Sequence, residues 1–237
     1  RGGNTANRTA TYYVEAGETV RCTFTNTKLG QITVTKEING TNQPFTFNSD
    51  GFTLTDTTLA NGESASSTVG LLPGTYKVSE VLPTGWEDPQ IVCSVNGGAA
   101  NNGSGYQITG LETTITLKAG DTVACTYTNV EKARLKIIKT TAPAGQGPFT
   151  FTDVDDNVTG LPTGLSDGDS FTSDYLTMGA YNVAETIPAG WEIASIVCND
   201  PDGGTKYDTK AGTIAFDLDP GELVDCTVNN RAQGRIL

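Results

Sequence analysis

With 27 acidic side chains against 15 basic ones, the 237-residue chain carries a net charge of −12, the wrong sign for gripping the phosphates of nucleic acid. It contains no histidine, which removes every Ser-His, Cys-His and His-ligated metal mechanism from the chain. No apolar run approaches the roughly 20 residues of a membrane-crossing helix, and the acidity suits the solubility of an extracellular protein.

Thr, Val, Tyr and Phe alternate with polar residues between Gly, Pro, Asn and Asp, the pattern of short strands and turns. Near the start stands AGETVRCTFTN at 16–26, which returns as AGDTVACTYTN at 119–129 and PGELVDCTVNN at 220–230. QITVTK at 31–36, QPFTF at 43–47 and GTYKVSEVLPTGW at 74–86 are matched in order by RLKIIK at 134–139, GPFTF at 147–151 and GAYNVAETIPAGW at 179–191. A period of about 100 residues is too long for a solenoid and right for domains on a string. Residues 1–29 are expected to be the C-terminal strands of an incomplete repeat, 30–130 and 131–231 two full repeats, and 232–237 the start of another. The natural chain is expected to run past both ends. Each full repeat reads as seven or eight strands in an immunoglobulin-like, Greek-key β-sandwich, so the fold class is all-β in tandem domains. The linkers Thr27–Gly30 and Val130–Ala133 are short, which predicts a stiff rod.

The five cysteines follow the repeat. Cys93 and Cys125 hold the places of Cys198 and Cys226, one on the strand after the tryptophan and one on the last strand. Cys22 matches Cys125 and Cys226 and is left without a mate, its partner expected upstream. Disulfides Cys93–Cys125 and Cys198–Cys226 are the simplest count. Two cysteines without CxxC spacing or histidine cannot fill a zinc shell. Disulfides imply secretion into an oxidising space and should add about 3–4 kcal/mol to each repeat.

Side chains of equal parity share a strand face. Lys36 shares parity with Ile32 and Val34, and Lys139 with Leu135 and Ile137. Glu80 goes with Tyr76 and Val78, and Glu185 with Tyr181 and Val183. Asn129 follows Val123, Cys125 and Tyr127, and Asn230 follows Val224, Cys226 and Val228. A lysine, a glutamate and an asparagine are thus expected on the apolar side in both repeats. Burial drives lysine toward its amine and glutamate toward its acid. An amine is a nucleophile and a protonated carboxyl polarises an amide, so the set can form a Lys–Asn isopeptide bond and release ammonia. The alternative is an ordinary buried ion pair beside a hydrogen-bonded amide.

YKVSEVLPTGW and YNVAETIPAGW resemble the E-box of the Cna B-type, prealbumin-like (SpaA-like) modules of bacterial adhesins and pilins, with valine for the usual leucine and tryptophan for the final tyrosine. The resemblance covers both full repeats and residues 16–26. It implies that Lys36 bonds to Asn129 under Glu80, that Lys139 bonds to Asn230 under Glu185, and that Asn26 is an unmated counterpart. A disulfide is not usual in that family.

Weaker signals have simpler readings. The acidic stretches 153–160 and 199–204 lack full calcium-loop spacing and read as turns. LPTG at 82–85 and 161–164 lacks the residue that a sortase signal needs between Pro and Thr. Trp86 and Trp191 read as core plugs, and Asn7, Asn39, Asn102 and Asn157 stand in sequons. The expected function is structural: the shaft of a cell-surface adhesin or extracellular filament, bacterial, with neighbouring repeats as partners in a homopolymer or long array. It is expected to be no enzyme beyond single-turnover self-linking and to need no cofactor. The rival is an adhesin module recognising host matrix or surface glycans through loops such as 97–104 and 201–210.

Overall fold

Alternating apolar and polar residues build strands that bury one face, and two such sheets bury their faces against each other. The computed structural model describes residues 2–4, 6, 8–96, 98–99 and 105–234. Asn7, Asn102, most of the loop 97–104 and the last three residues of GRIL therefore lie outside the described residues, while Asn39 and Asn157 are exposed. Among the described residues every regular element is a strand.

A small antiparallel hairpin, β1 (Gly2–Asn4) and β2 (Thr9–Thr11), comes first. Residues 12–29 then enter no strand. The last-strand string at 16–26 thus does not form the strand expected of it, although its later copies do. The reason is pairing: the later copies each lie between two strands, and an isolated β-segment leaves its backbone groups to water.

The first sandwich contains β3 (Gln31–Asn39), β4 (Phe45–Asp50), β5 (Thr58–Leu59), β6 (Ser64–Ser66), β7 (Gly74–Val81), β8 (Gln90–Val95), β9 (Gly98–Ala99), β10 (Gly105–Thr109), β11 (Glu112–Leu117) and β12 (Thr122–Val130). Its sheets run β10-β11-β7-β4-β5 and β6-β3-β12-β8-β9. The second contains β13 (Arg134–Ala142), β14 (Thr150–Asp153), β15 (Ser170–Thr172), β16 (Gly179–Thr186), β17 (Trp191–Asn199), β18 (Lys206–Asp208), β19 (Thr213–Leu218) and β20 (Leu223–Ala232). Its sheets run β15-β13-β20-β17 and β14-β16-β19-β18. The second domain has the expected eight strands, and the first exceeds the expectation because short pieces such as β5 and β9 add to its sheet edges.

Each domain closes around its own core, centred on Ile32, Phe47, Ile115 and Val123 in the first and Leu135, Val183, Phe216 and Val224 in the second. The cores differ where volumes trade. Tyr127 and Ile115 of the first stand where Val228 and Phe216 stand in the second, an exchange that keeps the large ring while moving it to the facing sheet. The Tyr127 hydroxyl lies 2.7 Å from Thr113 Oγ1, which satisfies it in the dry interior, and burial pushes its pKa up to about 12.

The feature that positions the site is one pairing. The first and last strands of each domain lie side by side and parallel, β3 with β12 and β13 with β20. The last strand's other edge pairs antiparallel with the cysteine strand, β8 or β17. Cys93 stands opposite Cys125 and Cys198 opposite Cys226, and both pairs are disulfide-bonded. Cys22 is free and exposed.

Candidate functional site

Parallel register sets Lys36 against Tyr127 and Lys139 against Val228. The asparagine two residues further along the last strand points to the same face, within reach of a lysine side chain. Lys36, Lys139, Asn129 and Asn230 are completely buried, and Glu80 and Glu185 nearly so. The glutamates reach this point from the opposite sheet, on β7 and β16.

In the first domain Lys36 Nζ donates to Asn129 Oδ1 at 2.6 Å, to Glu37 O at 2.6 Å and to Tyr127 O at 3.0 Å. Glu80 Oε1 stands 3.6 Å from the same nitrogen. Asn129 Nδ2 donates to the backbone oxygen of Glu87 at 3.2 Å. Both carboxylate oxygens of Glu80 are buried without a hydrogen-bond partner. In the second domain Lys139 Nζ donates to Asn230 Oδ1 at 2.9 Å, Thr140 O at 3.0 Å and Val228 O at 3.3 Å. Glu185 Oε2 lies 3.9 Å away. Here the amide nitrogen of Asn230 donates to Glu185 Oε1, and Oε2 is left without a partner.

Desolvation dominates the electrostatics. It pulls the lysines below their ordinary pKa, although the facing glutamates pull them up. It pushes the glutamates above theirs, although the facing lysines and the asparagine amides draw them down. Both shifts move a proton equivalent toward the neutral pair of amine and acid. A phenyl ring closes each cluster: Phe45 lies 4.4 Å from Lys36 Nζ, and Phe149 lies 4.3 Å from Lys139 Nζ. Trp86 and Trp191 pack edge-on against those rings, so the Pro-x-Gly-Trp turn supports the roof of the site. The repeated Pro-Phe-Thr-Phe string carried that signal in the sequence, but its role depends on which sheet crosses above the lysine.

The arrangement brings a lysine amine, an asparagine amide and a glutamate carboxyl together in the buried core of each domain, the groups that amide exchange between side chains requires. Of the other residues considered from sequence, Asn26 is exposed and in no strand. The acidic stretches are turns built on one carboxylate: Asp153 accepts from Asp155 N–H at 3.3 Å, and Asp200 accepts from Gly203 and Thr205 N–H at 2.9 and 2.7 Å. Asp200, Asp202 and Glu222 gather with carboxylate oxygens within 4.8 Å of one another.

A family model described as a prealbumin-like fold domain matches twice, over residues 32–131 and 135–232. The chain belongs to that family. Among solved structures, the T-13 major pilin protein of Streptococcus pyogenes is similar at 15% identity, with a TM-score of 0.36, covering 88% of this chain and 98% of that one. BcpA, the major pilin subunit of Bacillus cereus, matches at 11% identity and a TM-score of 0.32, covering 87% of this chain and all of its own. The Bacillus anthracis TIE protein matches at 16% identity and a TM-score of 0.31, covering 86% of this chain and 34% of its own. No curated protein matches the chain.

In both prealbumin-like domains the matched residues include the whole cluster: Lys36, Glu80 and Asn129 in one, Lys139, Glu185 and Asn230 in the other. Both disulfides fall inside the matched spans as well. Among the described residues no helix is long and apolar enough to cross a membrane.

Proposed function

We propose that this chain is a load-bearing segment of a bacterial surface filament or adhesin shaft, made stiff and durable by self-formed isopeptide bonds between the first and last strands of each domain. Lys36 Nζ, as the free amine, attacks the side-chain carbonyl carbon of Asn129. A new C–N bond forms as the bond from that carbon to Nδ2 breaks. Glu80, protonated, donates a hydrogen bond to the amide and carries the proton lost by the lysine to the departing nitrogen, which leaves as ammonia. Lys139, Asn230 and Glu185 do the same in the second domain. The reaction runs once per domain and regenerates the acid.

What supports this reading is one observation made twice. A buried lysine nitrogen is within hydrogen-bond distance of an asparagine side-chain oxygen on the adjacent parallel strand, beside a glutamate with an orphaned oxygen. A buried carboxylate oxygen without a hydrogen bond makes ionisation costly even beside a lysine. Linking the lysine removes its charge and lets the glutamate stay a neutral acid, so the bond relieves what the unlinked cluster cannot. The family match and its pilin-like fold relatives agree with a surface location and with neighbouring subunits as partners.

The decisive experiment is intact mass after disulfide reduction. The protein should be lighter than its sequence by two ammonia molecules. Glu80→Ala with Glu185→Ala should recover the full mass. A wild-type mass equal to the sequence mass sinks the proposal.

A further inference from the structure

Between the domains the chain is bonded on both sides. Glu131 N–H donates to Asn39 O at 2.9 Å and Lys132 N–H to Gly85 O at 2.8 Å, which ties the linker to the first domain. Ala133 then bridges Leu176 in the second. Among the described residues, Tyr175 and Glu131 reach across the junction. Tyr175, from the loop before β16, lies over the Pro-Thr-Gly-Trp turn of the first domain, so that a Cβ placed on Gly85 would come within 2.9 Å of its Cε1 and 3.1 Å of its Cζ. The Arg134 guanidinium stands 5.4 Å from the centre of the same ring, held by a 2.9 Å hydrogen bond from its Nε to Ser173 O. Glu131 is the second spanning group. Its carboxylate accepts the Thr41 N–H at 2.6 Å. It also fills the space above Gly40 of the first domain and Gly221 of the second, where added Cβ atoms would meet it at 2.5 and 2.6 Å.

We propose that Tyr175 seated on Gly85, with Glu131 wedged between Gly40 and Gly221, forms a joint that holds the two domains at one angle. Short linkers favour a rod by limiting separation, but they do not by themselves fix the rotation of one domain against the next, and domains of one chain move relative to each other by default. Here a flat ring sits on a surface with no side chain, and a guanidinium faces that ring, a favourable cation–π placement. Glycine suits position 85 for two reasons. Its φ of +89° lies in the left-handed region, and the tyrosine ring occupies the place of a Cβ.

The second domain contains its own control. Gly190 holds the matching place in the turn Pro188–Trp191, with a φ of +85°. Gln233 N–H donates to its carbonyl at 2.7 Å, as Lys132 N–H does to Gly85. Among the described residues, nothing apart from its own chain neighbours lies within 4 Å of a Cβ built on Gly190. An alanine therefore meets the same backbone strain at both positions, and only at 85 does it strike the joint.

Residual dipolar couplings measured on the full chain test this directly. In the wild type one alignment tensor should fit both domains. Tyr175→Ala combined with Glu131→Ala should need a separate tensor for each domain, with faster and independent tumbling. Gly85→Ala should loosen the joint in the same direction, while Gly190→Ala should keep the single wild-type tensor. The proposal is overturned if the Tyr175→Ala, Glu131→Ala variant keeps one tensor. It is equally overturned if Gly85→Ala and Gly190→Ala have the same effect on it.

Discussion

A lysine and a glutamate stripped of water together respond to pH in opposite ways. Glu80 and Glu185 have folded pKa values raised above their ordinary 4.5. The stability they contribute is full below about 4.5 and declines as pH rises through the folded values. Lys36 and Lys139 have folded pKa values lowered below 10.5, so their contribution is full above about 10.5 and is lost as pH falls through the folded values. Converting Nζ to an amide nitrogen deletes the lysine response. It also removes the positive charge that drew the carboxyl down. Compared with an unlinked Asn129→Ala, Asn230→Ala variant, the linked protein should gain no stability from lysine deprotonation as pH rises toward 10. Denaturant midpoints of the two proteins from pH 4 to 10 measure this: the gap between them should narrow on the alkaline side. A gap that widens there contradicts the reading. A second residue-level expectation concerns the roof. Phe45→Ala removes a fully buried ring at a cost of about 3–5 kcal/mol and admits water above Lys36. Loss of ammonia from the first domain should then slow, while the second domain reacts as before, which peptide mapping over time distinguishes.

At the scale of the strand, the last strand of each domain is gripped on both edges, by a disulfide to the cysteine strand and by the lysine contact to the first strand. These are separate devices. The lysine and asparagine are aligned by the parallel β3–β12 ladder, not by Cys93–Cys125, which lies on the other edge. Cys93→Ser with Cys125→Ser should therefore cost about 3–4 kcal/mol by freeing the unfolded chain yet leave the ammonia loss intact. Unfolding and mass measured on the same sample check both halves. Much of this strand-level arrangement was legible in the sequence, because a period of two allows few choices: Lys36 cannot leave the face of Ile32 and Val34 without a register slip. What the sequence did not carry was pairing. That Asn230 Nδ2 donates to Glu185 while Asn129 Nδ2 donates to the backbone of Glu87 depends on how the two sheets meet. So does the fate of residues 16–26, whose pattern nearly equals that of β12 but which pair with no strand among the described residues. A strand propensity is realised only against a partner.

At the scale of the whole molecule, the parallel first and last strands determine where tension travels. Because the two strands run the same way, force enters a domain at one end of the first strand and leaves at the far end of the last. A Lys36–Asn129 bond spans 93 residues of sequence and lies directly on that path. Pulled from its ends, a linked domain can lengthen only through the few residues outside the bond. The disulfide, inside the bonded loop, then carries no load. Removing the bond with Glu80→Ala transfers the load. The first domain should now unfold and release about 70 residues, from Gly30 to Cys93 and from Cys125 to Val130, a contour of roughly 230–250 Å at full extension. Adding a reductant should lengthen that step to roughly 330–360 Å, because about 100 residues are then free. The wild type should show neither step from this domain, with or without reductant. Single-molecule stretching of the full chain distinguishes the cases by step length alone. A wild-type first domain that releases the shorter step before reduction and the longer one after it would show that the disulfide, rather than a lysine–asparagine bond, bears the tension.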